Sequence, residues 1–297
     1  MAIVLLSVLI ALLAGHLLPD LARLRDFGWF ESWLRAASGW GGESRFWHGG
    51  TGALLSIGVP VAVLGLVQGV LDDAVYGLAL LVLGALVLFY CWGPRDLDLD
   101  VDAVVGAPDA ERRQAALQAL PPDPPETPLP LAGSVVVDQT FLAGLSRWFG
   151  VLFWFIVLGP LGALLYRLTQ LAARNRRFRA MLPAEQAESM ELFAKILDWP
   201  AAQLMTLALA VSADFDAVAT AWRDFHAARG KKVVLDSGFL LAAGRASVEI
   251  EEDLGESYGE DARGPIAGLQ QAMALNWRIL IVWLVVFSLL VLAGSIR

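Results

Sequence analysis

Tyr166 and Arg167 form the pair of side chains in this sequence that most invites a chemical role. They lie near the end of an almost wholly apolar stretch, Leu152–Gln170, which is interrupted in its middle by Gly159-Pro160. An ionisable residue at membrane depth usually faces the interior of a helix bundle and marks a functional site. Alternatively, the arginine extends to the lipid headgroups and the tyrosine is an interfacial anchor. The sequence alone leaves both interpretations open.

A cluster of arginines follows this stretch. Near an anionic membrane leaflet each such charge contributes about 1 kcal/mol to lipid binding. The same guanidinium groups could instead bind a soluble anionic ligand. We favour lipid over a soluble ligand for the cluster, which consists of Arg174, Arg176, Arg177 and Arg179.

Aspartates alternate at positions 96, 98, 100 and 102. In a strand they would form one carboxylate face suited to Mg²⁺ or Ca²⁺. A calcium-binding loop starting at Asp98 would need glycine at its sixth position, where Ala103 stands, so we favour an acidic, solvated start of a helix. The histidines His16, His48 and His226 have no second ligand at helical spacing. We therefore expect no metal and no cofactor.

The elements that must position these residues are membrane helices. Hydrophobic residues form 57% of the chain and its mean hydropathy is +0.59, which is typical of membrane proteins. The net charge of -8 does not favour binding to nucleic acid. About 20 apolar residues cross the hydrocarbon core as a helix. Apolar blocks lie at Ala2–Leu18, Thr51–Leu71, Ala74–Trp92, Leu152–Leu171 and Ile279–Gly294, with a shorter one at Ala201–Val211.

This pattern predicts an all-α, polytopic membrane protein with roughly four to six membrane helices and with cytoplasmic surface helices. The basic segment Pro19–Gly50 belongs in the cytoplasm by the positive-inside rule. A fourth block that crosses completely would then carry the arginine cluster to the outside. Either this block is re-entrant, turning at Gly159-Pro160, or it spans and Ala201–Val211 crosses back. We favour a cytoplasmic arginine cluster.

Gly65 and Gly69 of the second block form a GxxxG pattern, which packs membrane helices either within a bundle or between two copies. Cys91 is the single cysteine, which excludes an intramolecular disulfide. The predicted regions are 1–92 with three N-terminal membrane helices and the arginine-bearing loop 19–50, the acidic and proline-rich cytoplasmic loop 93–133, the core 134–212 with a broken membrane helix at 151–171 and an amphipathic helix at 183–199, the cytoplasmic helical region 213–276, and the C-terminal membrane helix 277–297.

Two segments resemble a known bacterial family. LFWFIVLGPLGALLYRLTQ at Leu152–Gln170 and ILDWPAAQL at Ile196–Leu204 resemble the AmpE proteins of Gram-negative bacteria and, more widely, the CobD/CbiB superfamily. The AmpE resemblance implies a multi-pass inner-membrane protein that modulates β-lactamase induction in response to cell-wall muropeptides, alongside a cytoplasmic muropeptide amidase. The residues it implies for a ligand site or a structural polar core are Trp154, Tyr166, Arg167, Asp198 and Trp199.

The acidic positions of the cobalamin enzymes in that superfamily are replaced here. Those enzymes carry an acidic-amide motif just before the broken helix. Here the corresponding residues are Leu142–Arg147, which read LAGLSR, and later acids are replaced by Ala173, Ala194 and Lys195. A metal-assisted synthase needs such carboxylates. The sequence therefore favours a non-enzymatic modulator over a cobinamide-phosphate synthase. A small-molecule transporter that uses the broken helix is a second alternative.

Arg167 and Asp198 are charged residues that the resemblance retains. Because a lone buried charge is costly, we expect them to pair and to fix the broken helix against the amphipathic helix at 183–199. Lysine would not replace the arginine in such a pair, since only the planar guanidinium offers two parallel donors to a carboxylate.

Overall fold

The computed structural model describes residues 2–17, 21, 24–40, 49–72, 77–93, 96–121, 127–229, 235–248 and 264–294. Within these ranges all regular secondary structure is helical and no strand occurs, which confirms the all-α prediction. Some predictions fall on residues outside the described ones, namely those that involve Arg23, Arg45, His48, Asp73, the prolines of 122–126 and the side chain of His16.

The described helices follow one another with short connections. In chain order they are α1 (Ala2–Leu17), α2 (Gly28–Trp40), α3 (Gly50–Asp72), α4 (Leu78–Cys91), α5 (Leu97–Val105), α6 (Ala110–Leu117), α7 (Gly133–Gly144), a π-helical turn (Leu145–Phe149), α8 (Gly150–Leu158), α9 (Pro160–Arg174), α10 (Arg176–Arg179), α11 (Ala184–Ser212), α12 (Phe215–Arg229), α13 (Gly238–Ser247) and α14 (Pro265–Leu292).

Three stretches of described helix are long and apolar enough to cross a membrane: Gly50–Leu71, Gly133–Leu158 and Pro265–Leu292. The second has 26 residues. At 1.5 Å per residue it extends about 39 Å, which exceeds the ~30 Å hydrocarbon core. Two shorter helices, Ala2–Gly15 and Leu78–Cys91, are also apolar. The chain therefore has the helices of a membrane protein.

The apolar block predicted at Leu152–Leu171 is divided at Gly159. The φ of Gly159 is +66° and its ψ is −151°, a combination that essentially only glycine adopts. Pro160 then takes the first position of α9, where its missing amide donor costs little. Because α8 and α9 pack against each other, the block is a helical hairpin. Its first arm continues back to Gly133 through the π-helical turn.

α11 unites two segments that the sequence analysis separates, the amphipathic helix at 183–199 and the apolar block at 201–211. Pro200 lies inside this helix and cannot donate to the carbonyl of Ile196. Ala201, Ala202 and Met205 are buried immediately beyond the proline. Their packing stabilises the continued helix, since helices in proteins owe most of their stability to such contacts.

The chain forms two compact units. Unit 1 contains residues 1–94, 150–197 and 287–297, and in it α4 packs on α1 and α9, while α3 and α8 also contact α9. Unit 2 contains residues 95–149 and 198–286, and in it α5 contacts α6, and α13 contacts both α7 and α12. Large, fully buried side chains include Phe30, Leu34, Leu88, Phe155 and Tyr166 in unit 1 and Leu97, Leu120, Phe141, Phe149 and Phe239 in unit 2.

Candidate functional site

Arg167 is buried in the helices of unit 1, where it is only 4% exposed. Its Nε donates a hydrogen bond of 2.6 Å to the carbonyl of Cys91, the last residue of α4. The last carbonyls of a helix have no partner inside the helix and carry the negative end of its dipole, so they attract a cation. The interpretation in which Arg167 extends to lipid headgroups does not fit this position.

A second arginine binds the same end of α4. Arg25 is also buried, and its Nη1 donates to the carbonyl of Gly93 at 2.9 Å. Its guanidinium lies over the ring of Phe89, 4.4 Å from the centroid, in a cation–π contact. Two guanidinium groups from distant parts of the sequence therefore stabilise the C-terminal end of one apolar helix. In the sequence Arg25 is one arginine of the basic segment Pro19–Gly50, and nothing in the pattern distinguishes it from the others.

Tyr166 is fully buried and does not lie at an interface as an anchor would. Its ring occupies the space that a side chain at Gly150 would need. A Cβ atom at Gly150 would lie 2.0 Å from the Cζ atom of Tyr166 and 2.1 Å from its hydroxyl oxygen. The first residue of α8 and the middle of α9 therefore approach each other closely only because residue 150 is glycine.

Trp154 connects the two segments that carry the family resemblance. Its indole Nε1 donates to the carbonyl of Leu197 at 2.9 Å, so that a residue of the first segment binds a residue of the second. Leu197 precedes Pro200, and backbone carbonyls near a helix-interior proline often accept from a neighbouring helix. This hydrogen bond holds α8 against α11 within unit 1.

Asp198 and Trp199 differ in burial. Asp198 is buried, whereas Trp199 is partly exposed on the surface of α11. A buried carboxylate needs a charged or hydrogen-bonding partner. The pairing of Arg167 with Asp198 stays a prediction from the sequence.

The arginine cluster lies beside α2. Phe178 of α10 packs on Phe30 of α2, with ring centroids 5.6 Å apart, and Arg177 forms an ion pair with Glu31. Asn175 begins α10 by accepting from the backbone amide of Arg177 at 3.1 Å. The C-terminal end of the α8–α9 hairpin therefore contacts the segment between α1 and α3.

Unit 2 contains a buried ion pair that the sequence analysis does not predict. Nη1 of Arg147, in the π-helical turn, binds Oδ2 of Asp100 on α5 at 2.7 Å. Nη2 of the same arginine donates to the carbonyls of Leu120 at 2.7 Å and Ala119 at 3.3 Å. Both charged side chains are almost fully buried. Because π-helical turns are rare and often lie at functional sites, this pair is a second candidate site.

The aspartates at 96–102 belong to the start of a helix and not to a strand. Asp96 stands at the N-cap position of α5. Leu97, Asp100, Val101 and Val104 are its buried residues, spaced as one helical face. Asp100 therefore occupies a core position, and this spacing is the signal that could have identified it. Nearby, Asp98 accepts from the indole of Trp277 at 2.8 Å.

Among the described residues no group of three or more histidine, cysteine, aspartate or glutamate side chains is arranged to hold a metal ion. Comparison of the chain with protein-family models, with curated proteins and with solved structures finds no match in any of the three.

Proposed function

We propose that this chain is a multi-pass protein of the bacterial inner membrane that modulates β-lactamase induction, as the AmpE resemblance implies. The observation that carries the proposal is the hydrogen bond between Trp154 and Leu197, which are 43 positions apart in the chain. It brings together the two segments on which the resemblance rests. Tyr166 and Arg167, which belong to the first segment, are both buried. Their burial supports a structured polar core there.

The proposed topology has the α8–α9 hairpin entering from the cytoplasm and returning to it. The contacts of α10 with α2 support this topology, because α2 belongs to the basic loop that the positive-inside rule assigns to the cytoplasm. Val157 and Leu158 at the tip are exposed apolar residues, as expected for a tip in contact with lipid. Such a hairpin is one of roughly four to six membrane elements.

Some positions that hold acids in the cobalamin enzymes are occupied here by other residues. Their surroundings support a regulatory role and not an enzymatic one. Ala173 and Ala194 are fully buried, and a carboxylate at either position would lose its hydration. Lys195 forms an ion pair with Glu191 at 3.6 Å. The partners that the regulatory role implies are an anionic, muropeptide-derived ligand and a cytoplasmic muropeptide amidase.

The proposal is tested in a Gram-negative host that carries an inducible β-lactamase. Deletion of the gene should change the level of β-lactamase activity after treatment with a β-lactam inducer, and the wild-type gene should restore it. Trp154→Phe removes the indole donor and should restore it only in part. Trp222→Phe, on the surface helix α12, is the matched control and should restore it fully.

Immunoblots of membrane fractions establish that the variants accumulate to equal amounts. An induction profile that is the same with and without the gene would contradict the proposal. Rescue of a cobalamin-synthesis knockout by this gene would support the synthase alternative instead.

A further inference from the structure

Two carboxylates of unit 1 each bind two cations, one through each oxygen. Glu31 of α2 binds Arg35 through Oε1 at 2.8 Å and binds Arg177 through Oε2. Each oxygen of this carboxylate therefore has its own guanidinium partner, and the group of three has a formal charge of about +1 at neutral pH.

Glu191 of α11 repeats the arrangement. Its Oε2 lies 3.8 Å from Nη1 of Arg179 and its Oε1 lies 3.6 Å from Nζ of Lys195. The second group therefore has the same composition, one carboxylate and two cations, and the same formal charge.

The carboxylates in both groups are more shielded from solvent than the cations. The side chain of Glu31 is 14% exposed, whereas those of Arg35 and Arg177 are 66% and 63% exposed. Glu191 is 30% exposed, against 48% for Arg179 and 47% for Lys195. The acids hold the basic side chains in place from beneath, and the outer surface is positive.

α10 joins the two groups into one surface. Arg177 and Arg179 flank Phe178, which is buried against Phe30. The two arginines are two positions apart on one short helix, one on each side of the buried phenylalanine, so the two groups are neighbours. We call the surface formed by Arg35, Arg177, Arg179 and Lys195 the basic surface.

Two aromatic residues near the basic surface are of the types that are common at the level of lipid headgroups. Trp29, next to Phe30 on α2, is partly exposed and donates to the hydroxyl of Tyr90 at 2.8 Å. Tyr90 lies at the end of the apolar helix α4. Tryptophan and tyrosine are enriched at the membrane–water interface. α2 packs Phe30 and Leu34 into the protein, so Trp29 and the charged residues of this helix lie on its outer side.

We propose that the basic surface binds the headgroups of anionic phospholipids in the leaflet next to α2. Guanidinium groups bind phosphate oxygens through two parallel hydrogen bonds. The cations are about half to two-thirds exposed, which suits an open layer of headgroups better than an enclosed site for one small soluble anion. The bound lipid anchors α2 and the end of the α8–α9 hairpin to the same leaflet.

The test uses the purified full-length protein and native mass spectrometry in detergent, with phosphatidylglycerol as the anionic probe and phosphatidylethanolamine as the zwitterionic reference. The fourfold variant Arg35→Gln, Arg177→Gln, Arg179→Gln, Lys195→Gln should lose its preference for phosphatidylglycerol. Each neutralised charge should lower the affinity about fivefold. Arg112→Gln, which removes an exposed charge from α6, is the control and should keep the preference.

A phosphatidylglycerol preference that persists in the fourfold variant would refute the proposal. Displacement of phosphatidylglycerol by inorganic phosphate at equal concentration would also refute it, because it would identify a site for a soluble anion. If the fourfold variant does not accumulate, Arg35→Gln and Lys195→Gln are measured singly, and an unchanged affinity in both would count against lipid binding.

Discussion

Removal of one member of the Asp100–Arg147 pair should destabilise unit 2 strongly. Asp100→Asn keeps the shape of the side chain and deletes its charge, which leaves the Arg147 guanidinium buried without its carboxylate. Arg147→Met keeps much of the apolar volume and deletes the cation. It also takes the donor away from the carbonyls of Ala119 and Leu120, which lie just beyond α6.

Removing one member of a buried ion pair lowers the free energy of unfolding by about 3–5 kcal/mol, because the remaining charge is desolvated. We expect about 3–4 kcal/mol for Asp100→Asn. Arg147→Met should cost more, since each buried carbonyl that loses its donor adds about 1–3 kcal/mol. The double variant lacks both charges of this pair. Its cost should therefore be smaller than the sum of the single costs by at least about 2 kcal/mol.

The assay is reversible unfolding of the purified protein in mixed micelles, followed by circular dichroism, for the wild type, both single variants and the double variant. The matched control is the exposed pair of Asp109 and Arg112, whose charged atoms are 3.5 Å apart. Asp109→Asn keeps the side-chain cap of α6. This control should cost less than about 1 kcal/mol, as exposed ion pairs do. Additive costs at Asp100 and Arg147 would refute the reasoning.

Three further predictions concern the α8–α9 hairpin. Gly159→Ala should destabilise the protein by about 1–3 kcal/mol, because alanine is strained at a φ of +66°, and thermal unfolding in detergent measures the loss. Gly150→Ala should cost at least about 1–3 kcal/mol, since its Cβ would overlap the Tyr166 ring, and Tyr166→Leu should recover part of the loss in the same assay. Arg177→Cys, with the native cysteine replaced by alanine, should react with a membrane-impermeant maleimide only after the cells are permeabilised; labelling of intact cells would contradict the cytoplasmic assignment.

The helical class was predictable because long apolar segments leave few alternatives, and the sequence marks the break of the central block at Gly159-Pro160. The start of that block was not predictable: the sequence predicts a broken helix from residue 151, whereas the apolar helix begins at Gly133. Asp138 and Arg147 interrupt the apolar pattern there and hide its continuity. The continuation of α11 through Pro200 is a result of tertiary packing, which propensity cannot predict.

The candidate sites, like the fold, could be predicted from the sequence only in part. The resemblance selects Trp154, Tyr166 and Arg167, and their burial or hydrogen bonds could be read only from the folded chain. Asp100 could have been found by testing the acidic run for helical spacing. Its partner Arg147 could not be found in this way. A pattern of residue types does not reveal a π-helical turn, and it gives no information about a contact with a residue 47 positions away.

The binding of both Arg25 and Arg167 to the end of α4 has a consequence for biogenesis. Arg25 emerges from the ribosome before α4, but Arg167 emerges 76 positions after Cys91, the residue whose carbonyl it binds. At ~5–20 residues per second, about 4 to 15 s of translation separate Cys91 from Arg167. During this interval the nascent chain has one of the two cations at that helix end, and a chain truncated between residues 93 and 167 remains in that state. Full occupancy of the end of α4 therefore depends on a hairpin encoded much later in the message.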